Sequence, residues 1–244
     1  MQGAYVDGEL HGPWRKLDAE GKPLVDGTYD HGRKSGVWTE RRSSGSKLSE
    51  RTYAAGAGTG KWTFCDAKDA VVVALTLGRD DEVAVEEEDG VPTTIDVKPR
   101  EGPSTHIEFF TSGSIRVRGG FLEGEKHGPW IELDREGRKV VELVYKNGKK
   151  HGPASDFHED SKQLADQGTM DEGEWNGPWK QWYVDGKLRM EGVYVQGKRD
   201  GLWTEYHPKG HKWREGKFRL GVKYGTWTTW DANAKVATTK ELGP

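Results

Sequence analysis

Apolar and polar side chains alternate along residues 188–194, with Leu188, Met190, Gly192 and Tyr194 on one side. A period of two is the signature of a strand with one covered face. Turn signals bound the run: Val184-Asp-Gly-Lys187 precedes it, and Val195-Gln-Gly-Lys-Arg-Asp-Gly201 follows. Alternation between glycine turns predicts a β-hairpin. The units carry no helical period, so each predicts two short antiparallel strands, and the next unit continues the meander.

The pattern is repeated to a fixed measure. Trp14, Trp38 and Trp62 stand 24 residues apart; Trp130, Ala154, Trp179, Trp203 and Trp227 follow at steps of 24, 25, 24 and 24. The unit reads Tyr-x-x-Gly-x-x-x-Gly-x-Trp, as in Tyr5–Trp14, Tyr29–Trp38, Tyr53–Trp62 and Tyr194–Trp203. Phe leads in Phe121–Trp130 and Phe218–Trp227. Such self-similarity predicts a repeat architecture with a long open surface. The expected fold is all-β: a single-layer antiparallel meander of β-hairpins.

Glycines fall in three places. Gly21, Gly45, Gly113, Gly137, Gly186 and Gly210 sit where a hairpin turn needs positive φ. Pairs such as Gly197 and Gly201 bracket the other turn. Gly27, Gly119, Gly192 and Gly216 lie inside strands, where a missing side chain leaves room for a ring from the neighbouring unit.

The period fails in the middle. His106 occupies the Trp slot of a degenerate unit, and 66–105 holds the most apolar run, Ala70–Leu77, followed by acids. Val71–Leu77, Glu82–Val85 and Thr93–Val97 read as longer strands, either of a diverged unit or of an inserted lobe. Three segments result: repeats at 1–65, the diverged stretch 66–105, and repeats at 106–244.

Composition sharpens this picture. Apolar residues make up 33% and charged residues 32%, too few aliphatics for a thick core. Yet 11 Trp and 8 Tyr with a net charge of −3 argue against disorder; each ring can bury roughly 150–250 Å². Near-neutral mixed charge provides no nucleic-acid footprint. No run of about 18 apolar residues exists to span a membrane. The single Cys65 excludes an internal disulfide and fits a reducing compartment, so a cytoplasmic location is expected. The chain enters mid-repeat at Met1–Tyr5, and a removed leader would instead place it in the periplasm or tether it to the envelope.

Tyr194–Tyr206, with the turns His-Gly-Pro-Trp at 11–14 and 127–130 and Asn-Gly-Pro-Trp at 176–179, resembles the MORN-variant repeat of bacterial proteins grouped as YwqK-type antitoxins. The resemblance covers the chain on either side of 66–105. It departs from the pattern at Ala154 and His106. It implies a meandering sheet of hairpins and a role as the neutralising partner of a toxin in a toxin–antitoxin or immunity pair.

No catalytic, cofactor-binding or metal-binding residue is expected. His11, His127 and His151 occupy one turn position in different copies, and 24 residues place copies two strands, or about 10 Å, apart, too far to share an ion. Neither His106 with Glu108 and Asp96 nor His158 with Glu159 and Asp160 has a nucleophile placed beside it. Gly56-Ala-Gly-Thr-Gly-Lys61 lacks the spacing of a phosphate loop, because Trp62 follows the lysine. The expected activity is therefore binding to a protein, such as a cognate toxin blocked by steric and electrostatic occlusion. The alternative is an envelope-associated scaffold or spacer with no inhibitory role. The residues nominated to face the partner are the acids Asp80, Asp81, Glu82, Glu86, Glu87, Glu88 and Asp89, with Trp182 and Trp230. Carboxylates would complement a toxin's basic groove, and Trp makes an interface anchor.

Overall fold

The computed structural model describes residues 1–78, 81–88, 91–161 and 163–243, with backbone only at 88 and 91. Every regular element among them is a strand, and within each sheet consecutive strands pair antiparallel as the period-two pattern predicts, except the two-residue strands Ala57–Gly58 and Glu125–Lys126, each of which pairs only with the strand before it. The described residues form two compact units, 1–118 with 135–137, and 119–134 with 138–243.

In the first unit, β1 (Gln2–Val6), β2 (Glu9–Leu17), β3 (Pro23–Asp30), β4 (Arg33–Arg41), β5 (Lys47–Ala54), the two-residue β6 (Ala57–Gly58), β7 (Gly60–Cys65) and β8 (Val71–Leu77) form one sheet in chain order, with β6 a short spur on β5. Then β9 (Glu82–Glu88), β10 (Val91–Lys98) and β11 (Ser104–Phe109) pair in sequence as a separate group. β12 (Ile115–Leu122) contributes to both units. The second unit continues with β13 (Glu125–Lys126), β14 (Gly128–Leu133), β15 (Lys139–Lys146), β16 (Lys149–Phe157), β17 (Leu164–Asp171), β18 (Glu174–Trp182), β19 (Leu188–Val195), β20 (Lys198–Tyr206), β21 (Lys212–Arg219), β22 (Val222–Trp230) and β23 (Val236–Leu242).

The turns are built as the glycines foretell. Gln196 and Gly197 have φ of 48° and 72°, the two successive positive values of a tight hairpin turn that matches strand twist. Leu220-Gly221 repeats the geometry one unit later, with a non-glycine residue held in the left-handed region. The six glycines at the opposite turns, from Gly21 to Gly210, all have positive φ.

The strand glycines explain the Trp period. A Cβ on Gly192 would stand 2.3 Å from the Trp203 ring; on Gly27, Gly119 and Gly216 it would stand 2.2 Å from Trp38, Trp130 and Trp227. Each indole therefore lies flat on the backbone of the preceding strand, eleven residues earlier. Trp203 Nε1–H then donates to the Val193 carbonyl at 3.1 Å, and Trp38, Trp62 and Trp130 make the corresponding bond. Neighbouring rings stack on edge: Tyr194 lies 4.9 Å from Trp203 and Phe218 lies 5.2 Å from Trp227, between centroids. Where Ala154 takes the Trp slot, Leu143 takes the glycine slot directly opposite, and both are buried. The volume has changed strands, and the site stays filled.

The middle of the chain adds a second layer. In the first unit Trp62, Phe64, Val73 and Leu77 on β7 and β8 pack against Ile95, Val97, Ile107 and Phe109 on β10 and β11. Ile95 and Ile107 are cross-strand partners at 0% and 1% exposure. The apolar run Val71–Leu77 thus closes one sheet onto the neighbouring strand group, which a row of indoles over glycine cannot do.

Trp203→Ala is expected to cost about 3–5 kcal/mol in urea melts, the range for removing a fully buried large ring. His151→Ala, half exposed, is expected to stay within about 0.5 kcal/mol. Gly192→Ala is expected to be strongly destabilising in the parent and much less so in Trp203→Ala; additive effects would contradict the interlock.

Candidate functional site

The nominated acids are placed unequally. Asp80 and Asp89 lie outside the described residues, and only the backbone of Glu88 is described. Asp81 Oδ2 accepts the Gly78 amide at 2.8 Å, which fixes a turn. Glu86 accepts from the Thr94 hydroxyl at 3.1 Å across the β9–β10 ladder. Glu82 is solvated, 3.9 Å from the Lys98 ammonium.

Glu87 is tied down. Its Oε1 is 2.6 Å from Arg51 Nη2, and Glu40 reaches the same nitrogen at 3.0 Å. Arg51 is buried, and its guanidinium lies over Trp62 and Phe64, 5.5 and 5.2 Å from the ring centroids. The sequence offers no hint of this bridge, because 36 residues separate its partners. A cation so deeply desolvated needs both carboxylates.

Trp182 and Trp230 are half-buried at the ends of β18 and β22. The Lys212 ammonium lies 5.7 Å from the Trp230 ring centroid. They belong to hairpins separated by another full repeat.

The register indoles are occupied by the protein itself. Lys34, Lys126, Arg199 and Lys223, each four residues before a register Trp, cover Trp38, Trp130, Trp203 and Trp227 at 4.1–4.4 Å. A cation over the ring face is attracted by its quadrupole. Burial depresses the Lys34 and Lys223 ammonium pKa values. Little ring surface is left for a partner.

The opposite face is open. Side chains alternate across a strand, so the residue before each register Trp points away from the indoles: Trp203 is 1% exposed and Leu202 52%. In the second unit this slot carries Pro129, Pro153, Pro178, Leu202 and, before Trp227, the polar Thr226, and cross-strand pairing sets Val144 beside Pro129, Thr169 beside Pro153 and Val193 beside Pro178. Pro178, Val193 and Leu202 line a shallow depression with Lys180, Glu191 and Thr204. Lys180 and Glu191 pair at 3.3 Å, and Glu191 also accepts from the Tyr206 hydroxyl at 2.8 Å. Burial, then the Glu191 carboxylate, pushes Tyr206 up to about 12. An apolar strip rimmed by paired charges has the make-up of a protein-contact surface. Sequence reasoning passed over it because prolines in a strand read as turn residues. The signal was the recurrence of Pro one place before the Trp.

His106 is clamped. Its Nδ1 lies 2.7 Å from Asp96 and its Nε2 3.1 Å from Glu108, which also pairs with Arg116. Burial opposes its charge, but hydrogen bonds to Asp96 and Glu108 outweigh it and raise the pKa above the ordinary imidazole value. Both ring nitrogens face carboxylates, an arrangement suited to holding a proton. His158 Nε2 lies 3.0 Å from the Trp182 carbonyl. Cys65 is buried, and burial raises its thiol pKa. The glycine run at 56–60 cradles nothing: Trp62 occupies the space at Gly58, and the Gly56 and Thr59 amides donate to Lys34 and Thr52 carbonyls.

Among known proteins, the MORN repeat variant matches residues 175–196 and 199–219, the hairpins of the clearest repeats. These two stretches are similar to the MORN repeat variant, and repeats of that kind suggest a repeat-based binding module. No curated protein matches the chain. Among solved structures, a mutant of S. aureus TarM in complex with fondaparinux, α-GlcNAc-glycerol and UDP is 16% identical, with a TM-score of 0.28, over 44% of this chain and 21% of that one. A TcdB2–TccC3–Cdc42 structure is 12% identical, with a TM-score of 0.25, over 89% of this chain and 14% of that one. The chain thus spans about a fifth of the first and about a seventh of the second. Among the described residues no helix is long and apolar enough to cross a membrane.

Two measurements follow. Glu87→Gln is expected to destabilise the protein by about 1–3 kcal/mol, as loss of a charged hydrogen bond on a buried cation does, whereas Glu82→Gln is expected to cost less than about 0.5 kcal/mol; equal losses in urea melts would refute the buried bridge. The raised His106 pKa stabilises the fold fully below the unfolded-state value near 6.5, and that contribution is lost as pH rises through the folded-state value. Stability is therefore expected to fall on going from pH 6 to pH 9, with a flatter profile in His106→Gln.

Proposed function

We propose that this protein is a non-catalytic antitoxin or immunity protein of the YwqK type, which lays its open sheet face on a protein toxin and blocks it. The observation that carries the reading is the apolar strip through Pro178, Val193 and Leu202, left uncovered while the register indoles on the other face are sealed by the chain's own cations. Inhibition is steric and electrostatic. The Lys180–Glu191 pair at the rim sets register with the partner, and solvated acids such as Glu82 aid its approach. The antitoxin role itself rests on the likeness of Tyr194–Tyr206 and the Gly-Pro-Trp turns to the YwqK-type repeat.

Capture from lysate of the source cells is expected to yield one protein at a 1:1 ratio that arrests growth when expressed alone. Leu202→Glu is expected to abolish capture while leaving the unfolding free energy within about 0.5 kcal/mol. Capture untouched by Leu202→Glu would show that another surface is used. A captured partner that is harmless alone would favour the scaffold alternative.

A further inference from the structure

Among the described residues, two side-chain groups converge as metal ligands would: His11 with Asp30 and His31, and His151 with Asp171 and Glu172. In both, a histidine preceding Gly-Pro, within β2 or β16, meets the turn that ends the next strand. Histidines of successive copies are too far apart to share an ion. The structure instead brings each to the turn one hairpin on.

We infer that His11, Asp30 and His31 form a surface site for a zinc-like divalent transition ion, completed by water. Asp30 Oδ1 lies 3.5 Å from His11 Nδ1 and 2.8 Å from His31 Nδ1, and one donor from each residue lies within 4.8 Å of the others. Donors bound at 2.0–2.2 Å to a tetrahedral zinc stand about 3.3–3.5 Å apart, so small side-chain rotations close the set. Two imidazoles and a carboxylate suit zinc and its neighbours rather than calcium or magnesium, which take oxygen donors. His31 stands in the left-handed region of its tight turn, with a φ of 44°, and its amide donates a long hydrogen bond to His11 Nδ1 at 3.5 Å. An incoming ion would displace that weak donor from the Nδ1 lone pair.

Other copies of this slot provide internal comparisons. His127 faces positions filled by Lys146 and Asn147, Asn176 those of Val195 and Gln196, and Asp200 those of Arg219 and Leu220. None offers three ligands. In the His151 group the Lys149 ammonium already sits 2.6 Å from Glu172, so a cation competes there. The ion would staple β2 to the β3–β4 turn, and with ligands this exposed it exchanges readily with solvent. This site does not depend on the proposed partner.

The test is isothermal titration of the untagged full chain with zinc chloride at pH 7.5 in a non-coordinating buffer. One ion per chain with micromolar affinity is expected, weakening as the pH is lowered because protons compete with the ion for its ligands. His11→Asn, which copies Asn176, and His31→Asn, which keeps the left-handed turn as Asn147 does, are each expected to weaken binding at least about tenfold. His127→Asn is expected to leave it unchanged, and circular dichroism checks that every variant stays folded. A second ion that only His151→Asn removes is compatible with the assignment. No binding, or binding unchanged in both His11→Asn and His31→Asn, overturns it.

Discussion

An indole needs about 150–250 Å² of cover, and in this protein the cover is a stretch of backbone with no side chain on it. Trp203 lies where the Cβ of Gly192 would be, and the arrangement recurs at Trp38, Trp130 and Trp227. A flat ring on bare backbone allows a thin sheet to bury aromatic surface without a second layer. It also fixes register. The Trp must meet a glycine eleven residues earlier, and a slip of one residue turns every ring to the wrong face. The turns serve this spacing: a left-handed pair such as Gln196-Gly197 returns the chain in the fewest residues.

The same constraint divides labour between the faces. The indole side is sealed by neighbouring Tyr and Phe rings and by Lys or Arg four residues upstream. The other side has no such requirement, so small apolar residues such as Pro178 and Leu202 remain in solvent there. Substitutions of Pro178 or Leu202 on this face therefore leave the interlocking rings and glycines untouched. Where the interlock lapses, other means replace it. Arg51 sits in the glycine slot before Trp62, and there the sheet is closed by a second strand group and a buried Glu40–Arg51–Glu87 bridge.

Much of the fold was legible because the period lies in residues that act locally. Glycine at positive φ, alternation along Leu188–Tyr194 and Trp at fixed steps each imply their geometry without knowledge of distant contacts. Glycines inside strands announced rings, and rings are there. What the sequence hid is what depends on long-range pairing. Glu87 reads as one acid among many, and only the apposition of β9 with β5 gives it to Arg51. Asp30 and His31 look like ordinary turn residues until the hairpin brings them to His11. The exposed apolar strip was concealed by composition, since its prolines suggest turns while they sit within β14, β16 and β18.

Leu143 and Ala154 are the natural exception that allows the interlock to be tested by restoration. Because Leu143 fills the glycine slot and Ala154 the Trp slot, the decisive measurement is the urea stability of Ala154→Trp, Leu143→Gly and the double substitution. Each single change is expected to cost about 1–5 kcal/mol, by overpacking in the first and by a cavity in the second. The double substitution, which recreates a ring on bare backbone, is expected to recover most of that loss through favourable coupling. A double variant as unstable as the sum of its parts would contradict the claim that ring and missing side chain work as a unit.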